Sequence, residues 1–259
     1  MLHGLTDQRD HEGIGNSEEI SIHVDDFEMI CQLLKKHYTV LSLDDVVDMM
    51  ENGEPVPPRT VVLTFDDGYE SNVALGLPIL KKYDLTGTLF VTTNFVDQKA
   101  FQWWDRMEFA VGHSPREEAT LRLLDGPVSL DLSDRASRKR SYLDLLPRIK
   151  NSPQEELWNI VRDLEDTLEA SLCDAASPPP IYRPASWDQI RAMHRSPHIT
   201  IGAHTHTHRI LAHCQETTVR KELERSLQLL KDEVGVERPL FSYPNGNHNE
   251  MTRRVVKEL

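Results

Sequence analysis

The chain has few cysteines and no long apolar run. Its three cysteines, Cys31, Cys173 and Cys214, are widely spaced, so neither a disulfide-rich scaffold nor a CxxC structural zinc site is expected. No stretch approaches the roughly 20 apolar residues of a membrane-spanning helix. Residues 1–4 lack the charged and apolar regions of a signal peptide. We therefore expect a cytoplasmic protein in a reducing compartment, without a membrane span.

Positive charge is also scarce. There are 29 Lys and Arg residues against 42 Asp and Glu residues, which gives a net charge of -13. This balance argues against a nucleic-acid partner. With 259 residues, 39% of them hydrophobic, the chain can bury the core of one large α/β barrel or of two smaller domains.

Two short motifs carry most of the chemical information. One is Thr64-Phe65-Asp66-Asp67-Gly68, and the other is Gly202-Ala203-His204-Thr205-His206-Thr207-His208. Each follows an apolar run that is typical of a buried strand. Because parallel α/β folds gather their catalytic groups at strand ends, we predict that the two motifs meet and form a metal site.

The adjacent carboxylates Asp66 and Asp67 can take different tasks if the backbone turns between them. Gly68 permits such a turn. One carboxylate can then bind a metal while the other acts as a base on water, as in metallohydrolases. An ordinary loop start is the alternative interpretation of Asp-Asp-Gly.

The three histidines leave two arrangements open. His204 and His208 share a face if the segment turns helical after Ala203, whereas His206 joins that face if the segment stays extended. A single histidine is more often a hydrogen-bonded core or surface residue, but three within five residues after a strand favour ligands. One carboxylate and two imidazoles leave coordination positions for water and substrate.

The surrounding pattern alternates helices and strands, which predicts parallel βα units. Between Phe101 and Pro180 this alternation stops, and the segment is charged and mostly helical by pattern. We interpret 101–180 as an insertion within a single domain over 1–259. The expected strands are 38–41, 60–65, 88–92, 199–201 and 240–243, and the expected helices are 25–36, one starting at Ser42, 70–83, 186–194, 216–234 and 251–259.

Both motifs resemble those of the polysaccharide deacetylases, the NodB-homology group of carbohydrate esterase family four. In that family the first Asp of the pair is the general base, the second binds the metal, and the first and last His of an H-(S/T)-x-x-H motif complete the ligands. The resemblance implies that Asp66 is the base. It implies that Asp67, His204 and His208 hold one divalent metal, with zinc as the default for this mixed ligand set. Weaker likenesses lie at 41–45, 78–83, 103–105, 186–188 and 241–246.

The resemblance also implies a distorted (β/α)7 TIM-like barrel, although only about five strands are recognisable by periodicity. The barrel either lacks its last strands or is compensated by the insertion. Many members carry an Arg where this chain has Ser242, and a late catalytic His has no counterpart before Leu259. The orientation of the base and the identity of the general acid are therefore left open.

Further candidates surround the two motifs. His3 resembles a first-strand histidine of some members and is either a pocket residue or an exposed terminal one. The backbone N–H of Tyr243 either helps to hold an oxyanion or belongs to an ordinary strand-end tyrosine. Trp103, Trp104 and Trp187 are candidates for stacking on sugars, with core packing favoured for Trp187.

The predicted function is metal-dependent removal of N-acetyl groups from a sugar or polysaccharide, so the expected partner is an N-acetylated glycan. Two alternatives stay open. One is a non-catalytic glycan-binding relative, because the Arg and the late His are missing. The other is an O-acetyl esterase that acts on a polysaccharide.

Overall fold

The computed structural model describes residues 1–97, 100–237 and 239–259. It is a mixed α/β protein in which short parallel strands alternate with helices, as predicted. The strands are β1 (Leu5–Thr6), β2 (Ile22–His23), β3 (Thr39–Val40), β4 (Thr60–Val61), β5 (Thr64–Phe65), β6 (Gly87–Val91), β7 (Glu118–Leu123), β8 (Gly126–Asp131) and β9 (Ile199–Ala203). The helices are α1 (Val24–His37), α2 (Leu43–Glu51), α3 (Leu77–Tyr83), α4 (Thr93–Asp97), α5 (Trp103–His113), α6 (Arg135–Lys150), α7 (Leu157–Leu168), α8 (Trp187–His194), α9 (Glu216–Val234) and α10 (Glu250–Glu258).

Local sequence explains where several helices begin. The Ser42 hydroxyl accepts a 3.0 Å hydrogen bond from the Asp45 N–H at the start of α2. Ser186 and Gln189 form a complete capping box at the start of α8, since each side chain accepts the other residue's backbone N–H. These contacts satisfy N–H groups that have no partner within the first helical turn. The helix starts that we expected at Ser42 and Ser186 are confirmed.

The central sheet consists of β5, β6 and β9 in parallel, with β6 in the middle. Phe65 pairs with Leu89, and Leu89 pairs with Ile201. All five residues of β6 are buried, which fits a strand covered on both faces. Since the three strands are parallel, the residues that follow them emerge at the same edge of the sheet.

The apolar run 60–65 is not the single strand that we predicted. The Val61 carbonyl accepts a hydrogen bond from the Leu41 N–H, whereas the Leu63 carbonyl accepts one from the Thr88 N–H. The run therefore changes partners, so that β4 pairs with β3 and β5 pairs with β6. A continuous apolar pattern reports burial and does not reveal such a change of neighbour.

No closed barrel forms among the residues that the structure describes. Their parallel strands fall into separate groups, β1–β2, β3–β4 and β5–β6–β9. The strand expected at 240–243 contributes a single bridge, between Phe241 and Ala203. On the opposite side, Leu2 forms a single bridge with Phe65 of β5. The edges of the central sheet are thus covered by isolated bridges instead of full strands.

The segment between α4 and α8 combines helices α5, α6 and α7 with an antiparallel hairpin of β7 and β8. We expected a mostly helical insertion and did not predict this hairpin. Alternating burial along β7, where Ala119, Leu121 and Leu123 are less exposed than their neighbours, follows the period of a strand with one covered face. This segment builds a second apolar cluster around Trp103, Met107, Leu121, Leu130, Tyr142 and Leu164.

Within the described ranges, no helix has the length and apolar character required to cross a membrane. The three cysteines are free. Cys31 and Cys214 are buried, and Cys173 is exposed.

Candidate metal centre

Asp66 and Asp67 directly follow β5, and His204 directly follows β9. The loops after the strands are joined by backbone hydrogen bonds. The Thr92 N–H donates to the Asp67 carbonyl at 3.1 Å, and the His204 N–H donates to the Val91 carbonyl at 3.0 Å. The predicted meeting of the two motifs at one edge of the sheet is confirmed.

The backbone turns sharply between the two carboxylates. Asp67 has φ 77° and Gly68 has φ 97°, and the Gly68 N–H donates to the Asp66 carbonyl at 3.0 Å. A hydrogen bond across three residues with positive φ at the centre is a tight γ-type turn. Because of this turn, the adjacent side chains do not alternate as they do in a strand. Asp66 is 4% exposed and Asp67 is fully buried.

The histidine segment is neither a helix nor an extended strand. Thr205 has φ 64° and His208 has φ 54°, which reverses the chain within five residues. The Thr205 hydroxyl accepts the His208 N–H at 3.1 Å, which closes the turn. As a result the Nε2 atoms of His204 and His208 lie 3.1 Å apart. His206 points elsewhere, with its Nδ1 2.9 Å from the Thr93 hydroxyl.

Asp67, His204 and His208 form a buried group that could hold a metal ion. Asp67 Oδ1 lies 3.3 Å from His208 Nε2 and 3.8 Å from His204 Nε2. Ligand atoms in a tetrahedral zinc site lie about 3.3 Å apart, given metal–nitrogen distances of about 2.0–2.1 Å. Neither Asp67 side-chain oxygen has a hydrogen-bond partner within the described part of the chain. A buried carboxylate without donors fits a cation.

The His204 ring is oriented from its far side. Its Nδ1 lies 2.8 Å from the Ser242 carbonyl oxygen, an acceptor that requires Nδ1 to carry the proton. In the neutral ring, Nε2 then has its lone pair directed to the metal group. Carbonyl acceptors of this kind commonly fix the tautomer of metal-binding histidines. Ser242 thus contributes its backbone carbonyl to the site.

Burial is the largest cause of the pKa shifts of the two carboxyl groups and the two imidazoles. It raises the pKa of Asp66 to about 6. It raises the pKa of Asp67 well above its usual range, and the Asp66 charge adds to that rise. Burial also lowers the pKa of His204 to about 4 and that of His208 well below its usual value. Both imidazoles are therefore neutral at pH 7, which is the form that binds metals.

A cavity of about 470 Å³ opens onto the metal group. Its wall includes His3, Trp103, Trp104 and Tyr243, so these four candidates are brought together with the two motifs. Trp187 is not among the lining residues and packs against the main core. A larger cavity of about 580 Å³ around Glu70, Tyr182 and Arg183 contains none of the metal-group residues.

The structure adds cavity residues that sequence reasoning missed. Lys150 Nζ lies 3.2 Å from Glu18 Oε2, and both side chains line the wall. The Tyr142 hydroxyl donates to the other Glu18 oxygen at 2.8 Å. Glu18 and Lys150 are 132 residues apart, so no local pattern signals their meeting.

The sequence profile of the polysaccharide deacetylases matches residues 53–259, which is most of the chain. The chain belongs to the polysaccharide deacetylase family. The family predicted from the two motifs is thus confirmed. A poly-β-1,6-N-acetyl-D-glucosamine N-deacetylase of Escherichia coli strain K12 is 30% identical over 105 residues. These residues are 38% of this chain and 16% of that much longer protein.

Solved deacetylase structures are similar to this polysaccharide deacetylase family member along nearly its whole length. The deacetylase PplD of Streptococcus pyogenes, determined with acetate, has a TM-score of 0.59 and 16% identity, and the match covers 100% of this chain and 77% of PplD. IcaB from Ammonifex degensii has a TM-score of 0.57 and 16% identity, with 99% and 79% covered. At this level of identity the likeness establishes the fold.

Proposed function

We propose that this chain is a metal-dependent deacetylase that hydrolyses the N-acetyl group of a glycan. The observation that carries the proposal is the buried Asp67 carboxylate, which accepts no hydrogen bond from the described residues but lies 3.3 Å from His208 Nε2 and 3.8 Å from His204 Nε2. A second carboxylate, that of Asp66, is adjacent in sequence and also lines the cavity. Membership of the deacetylase family supports this function independently.

Asp67, His204 and His208 are the proposed ligands of one divalent ion, with zinc as the default for two nitrogens and one oxygen. When bound, such an ion supplies Lewis-acid activation of the acetyl carbonyl and of the attacking water. The three residues come from the loops after β5 and β9, the two strands that flank β6 in the central sheet. Their contribution is to present neutral imidazoles and one carboxylate in a buried arrangement.

Asp66 is the proposed general base. No arginine holds its pKa low at the position of Ser242, and burial raises that pKa to about 6. A base with a pKa near the working pH accepts a proton efficiently during the reaction. Asp66 takes a proton from the water that attacks the acetyl carbon. The backbone N–H of Tyr243, which also lines the cavity, is proposed to donate to the oxyanion that develops.

His3 is the proposed proton donor to the leaving nitrogen, the role left open by the sequence. It lines the same cavity as Asp66. Burial is the main cause of the lowered pKa of His3, the charges of the N-terminus and of Lys150 lower it further, and the charge of Glu18 opposes them in part. Proton transfer to nitrogen accompanies cleavage of the carbon–nitrogen bond, and acetate and a free amine are released.

The proposed substrate is an N-acetylated glucosamine polymer or oligomer. Support comes from the named activity of the Escherichia coli relative and from Trp103 and Trp104, aromatic residues in the wall of the cavity. The two alternatives are an O-acetyl esterase and a glycan-binding protein without turnover. Among the described residues that line the cavity, no contact favours either alternative over amide hydrolysis.

The test is acetate release from β-1,6- and β-1,4-linked N-acetylglucosamine oligomers by protein loaded with zinc, with acetylated xylan in parallel. Asp66→Asn should lower release at least ~100-fold, as expected for loss of a general base, while the bound zinc stays at the wild-type amount. Asp163→Asn, on an exposed face of α7, is the control. Glycan binding without acetate release would support the non-catalytic alternative, and release from xylan alone would support the esterase.

A further inference from the structure

His208 lacks a hydrogen bond like the one between Nδ1 and the Ser242 carbonyl that orients the His204 ring. Its Nδ1 is buried and has no hydrogen-bond partner in the described part of the chain. Metal-binding histidines usually donate this second ring N–H to a carbonyl or carboxylate, which fixes the ring. Another contact must therefore determine which way the His208 imidazole faces.

That contact is the indole of Trp104. Its ring meets the His208 ring edge-on, with centroids 4.5 Å apart and planes inclined at 67°. Edge-to-face packing of this kind is directional, because the ring edge and the ring face carry opposite partial charges. The orientation of His208 thus depends on the orientation of Trp104, which is 7% exposed.

Trp104 is held by a chain of two buried hydrogen bonds. Its Nε1 donates to the Tyr69 hydroxyl at 3.1 Å, and that hydroxyl donates to Asp105 Oδ2 at 2.9 Å. Tyr69 is 1% exposed and Asp105 is 3% exposed. The indole N–H can only donate, so the Tyr69 hydroxyl accepts from it and keeps its own proton for Asp105 Oδ2. Loss of one member leaves a buried polar group unpaired.

We propose that Tyr69 and Asp105 are positioning residues that act through Trp104 to hold the His208 imidazole with Nε2 facing Asp67. The inference rests on the proposed metal site. It also gives a role to Tyr69, which directly follows the Asp-Asp-Gly motif, and to Asp105, a buried acid that takes no part in the proposed reaction. Neither residue lines the cavity.

The chain contains a matched control. Tyr182 is 2% exposed, and its hydroxyl donates to Glu108 Oε2 at 2.8 Å. Glu108 lies on α5, three residues after Asp105. Tyr182→Phe therefore removes the same kind of hydrogen bond, from a buried tyrosine to a buried carboxylate on the same helix. The Tyr182 ring contacts Phe109 instead of Trp104 or His208.

The experiment compares Tyr69→Phe with Tyr182→Phe. Zinc affinity is measured by competition with a chelator, and the ligand geometry by the visible spectrum of the Co²⁺-loaded protein. We expect Tyr69→Phe to weaken zinc binding ~10-fold and to alter the cobalt bands, in line with the effect of losing an outer hydrogen bond at metal sites. Tyr182→Phe should stay within ~2-fold of wild type in zinc affinity, even if both variants lower the unfolding temperature equally.

Equal zinc affinities and equal cobalt spectra for the two variants would overturn the proposal. If Tyr69→Phe does not fold, Trp104→Phe removes the indole N–H at the other end of the chain and should show the same changes.

A wild-type protein that binds neither zinc nor cobalt would contradict the proposed function instead. The positioning role is then read from the ¹⁵N shifts of the His208 ring in the metal-free protein. Tyr69→Phe should move these shifts, and Tyr182→Phe should leave them unchanged.

Discussion

The Glu222 carboxylate accepts a 2.7 Å hydrogen bond from the backbone N–H of Thr207, in the middle of the histidine segment. The same carboxylate accepts the His206 N–H at 3.1 Å and the Thr207 hydroxyl, and it lies 3.5 Å from Arg209 Nε. Glu222 is 6% exposed and belongs to α9, which follows the segment. One buried side chain thus replaces the regular backbone hydrogen bonds that this reversed loop cannot make.

Replacing Glu222 with Ala should destabilise the protein by about 3 kcal/mol, because two partly buried N–H groups and a hydroxyl lose their acceptor. Glu222→Gln keeps one acceptor oxygen and should cost less. Urea unfolding measures both. Glu224→Ala, at an exposed position of the same helix, is the control and should change the free energy of unfolding by less than about 0.5 kcal/mol. Equal effects at positions 222 and 224 would contradict this account of the loop.

The choice among the three histidines has its own test. His204→Ala and His208→Ala should each lose most of the bound zinc, whereas His206→Ala should retain it, because the His206 ring is turned to the Thr93 hydroxyl. Elemental analysis of the purified variants gives the metal content directly. Loss of zinc from His206→Ala, with retention in one of the others, would assign the ligands differently.

Metal removal should destabilise the fold. A bound cation compensates the buried Asp67 carboxylate, whose oxygens have no other partner among the described residues. Zinc at 100 times its dissociation constant should add about 2.7 kcal/mol to the free energy of unfolding, since it binds the folded chain. A thermal scan with zinc and with a chelator measures the shift. In Asp67→Asn the shift should largely disappear, and a full shift in that variant would place the cation elsewhere.

Gly202 should tolerate no larger residue. A Cβ at this position would overlap the Phe90 ring and would lie 2.9 Å from the Leu240 carbonyl oxygen. Overpacking of this kind typically costs about 1–3 kcal/mol, so Gly202→Ala should lower the unfolding temperature. Adding Phe90→Leu should recover part of the loss, which a double-mutant cycle detects. Strictly additive effects would mean that Phe90 is not the side chain in conflict.

The cysteines should differ sharply in reactivity. Burial raises the pKa of Cys31 to about 12 and that of Cys214 to about 12, so both remain thiols at neutral pH. Cys173 is exposed. A thiol reagent at pH 7 should therefore modify one cysteine in the native protein and three after denaturation. Mass spectrometry counts them, and a second fast-reacting thiol would indicate local opening near α1 or α9.

The place of the candidate metal group could be predicted because Asp66, Asp67 and His204 directly follow apolar strands. That the two motifs meet needed only the rule that parallel strands end at one edge of a sheet. The choice of Asp67, His204 and His208 as ligands came from the family resemblance, because the residues alone left His206 open. The contacts of Glu222 and Glu18 could not be predicted in this way, because they join segments whose approach depends on the whole fold. The same reason applies to the run 60–65. Its apolar character correctly predicted a buried segment, but the sequence did not show that the strand partner changes after Val61. The hairpin of β7 and β8 was different, since its alternation was present in the sequence and was overlooked.

The central position of β6 determines how the candidate metal group responds to local unfolding. This strand is buried at all five residues and is paired on both sides, with β5 leading to Asp66 and Asp67 and β9 leading to His204. Amides at its centre, such as that of Leu89, should exchange with deuterium only when the whole molecule unfolds. The two-residue pairs β1–β2 and β3–β4 can open earlier without separating the carboxylates from the imidazoles. The candidate metal group should therefore persist through partial opening of the outer strands, and it should form only when the central sheet forms.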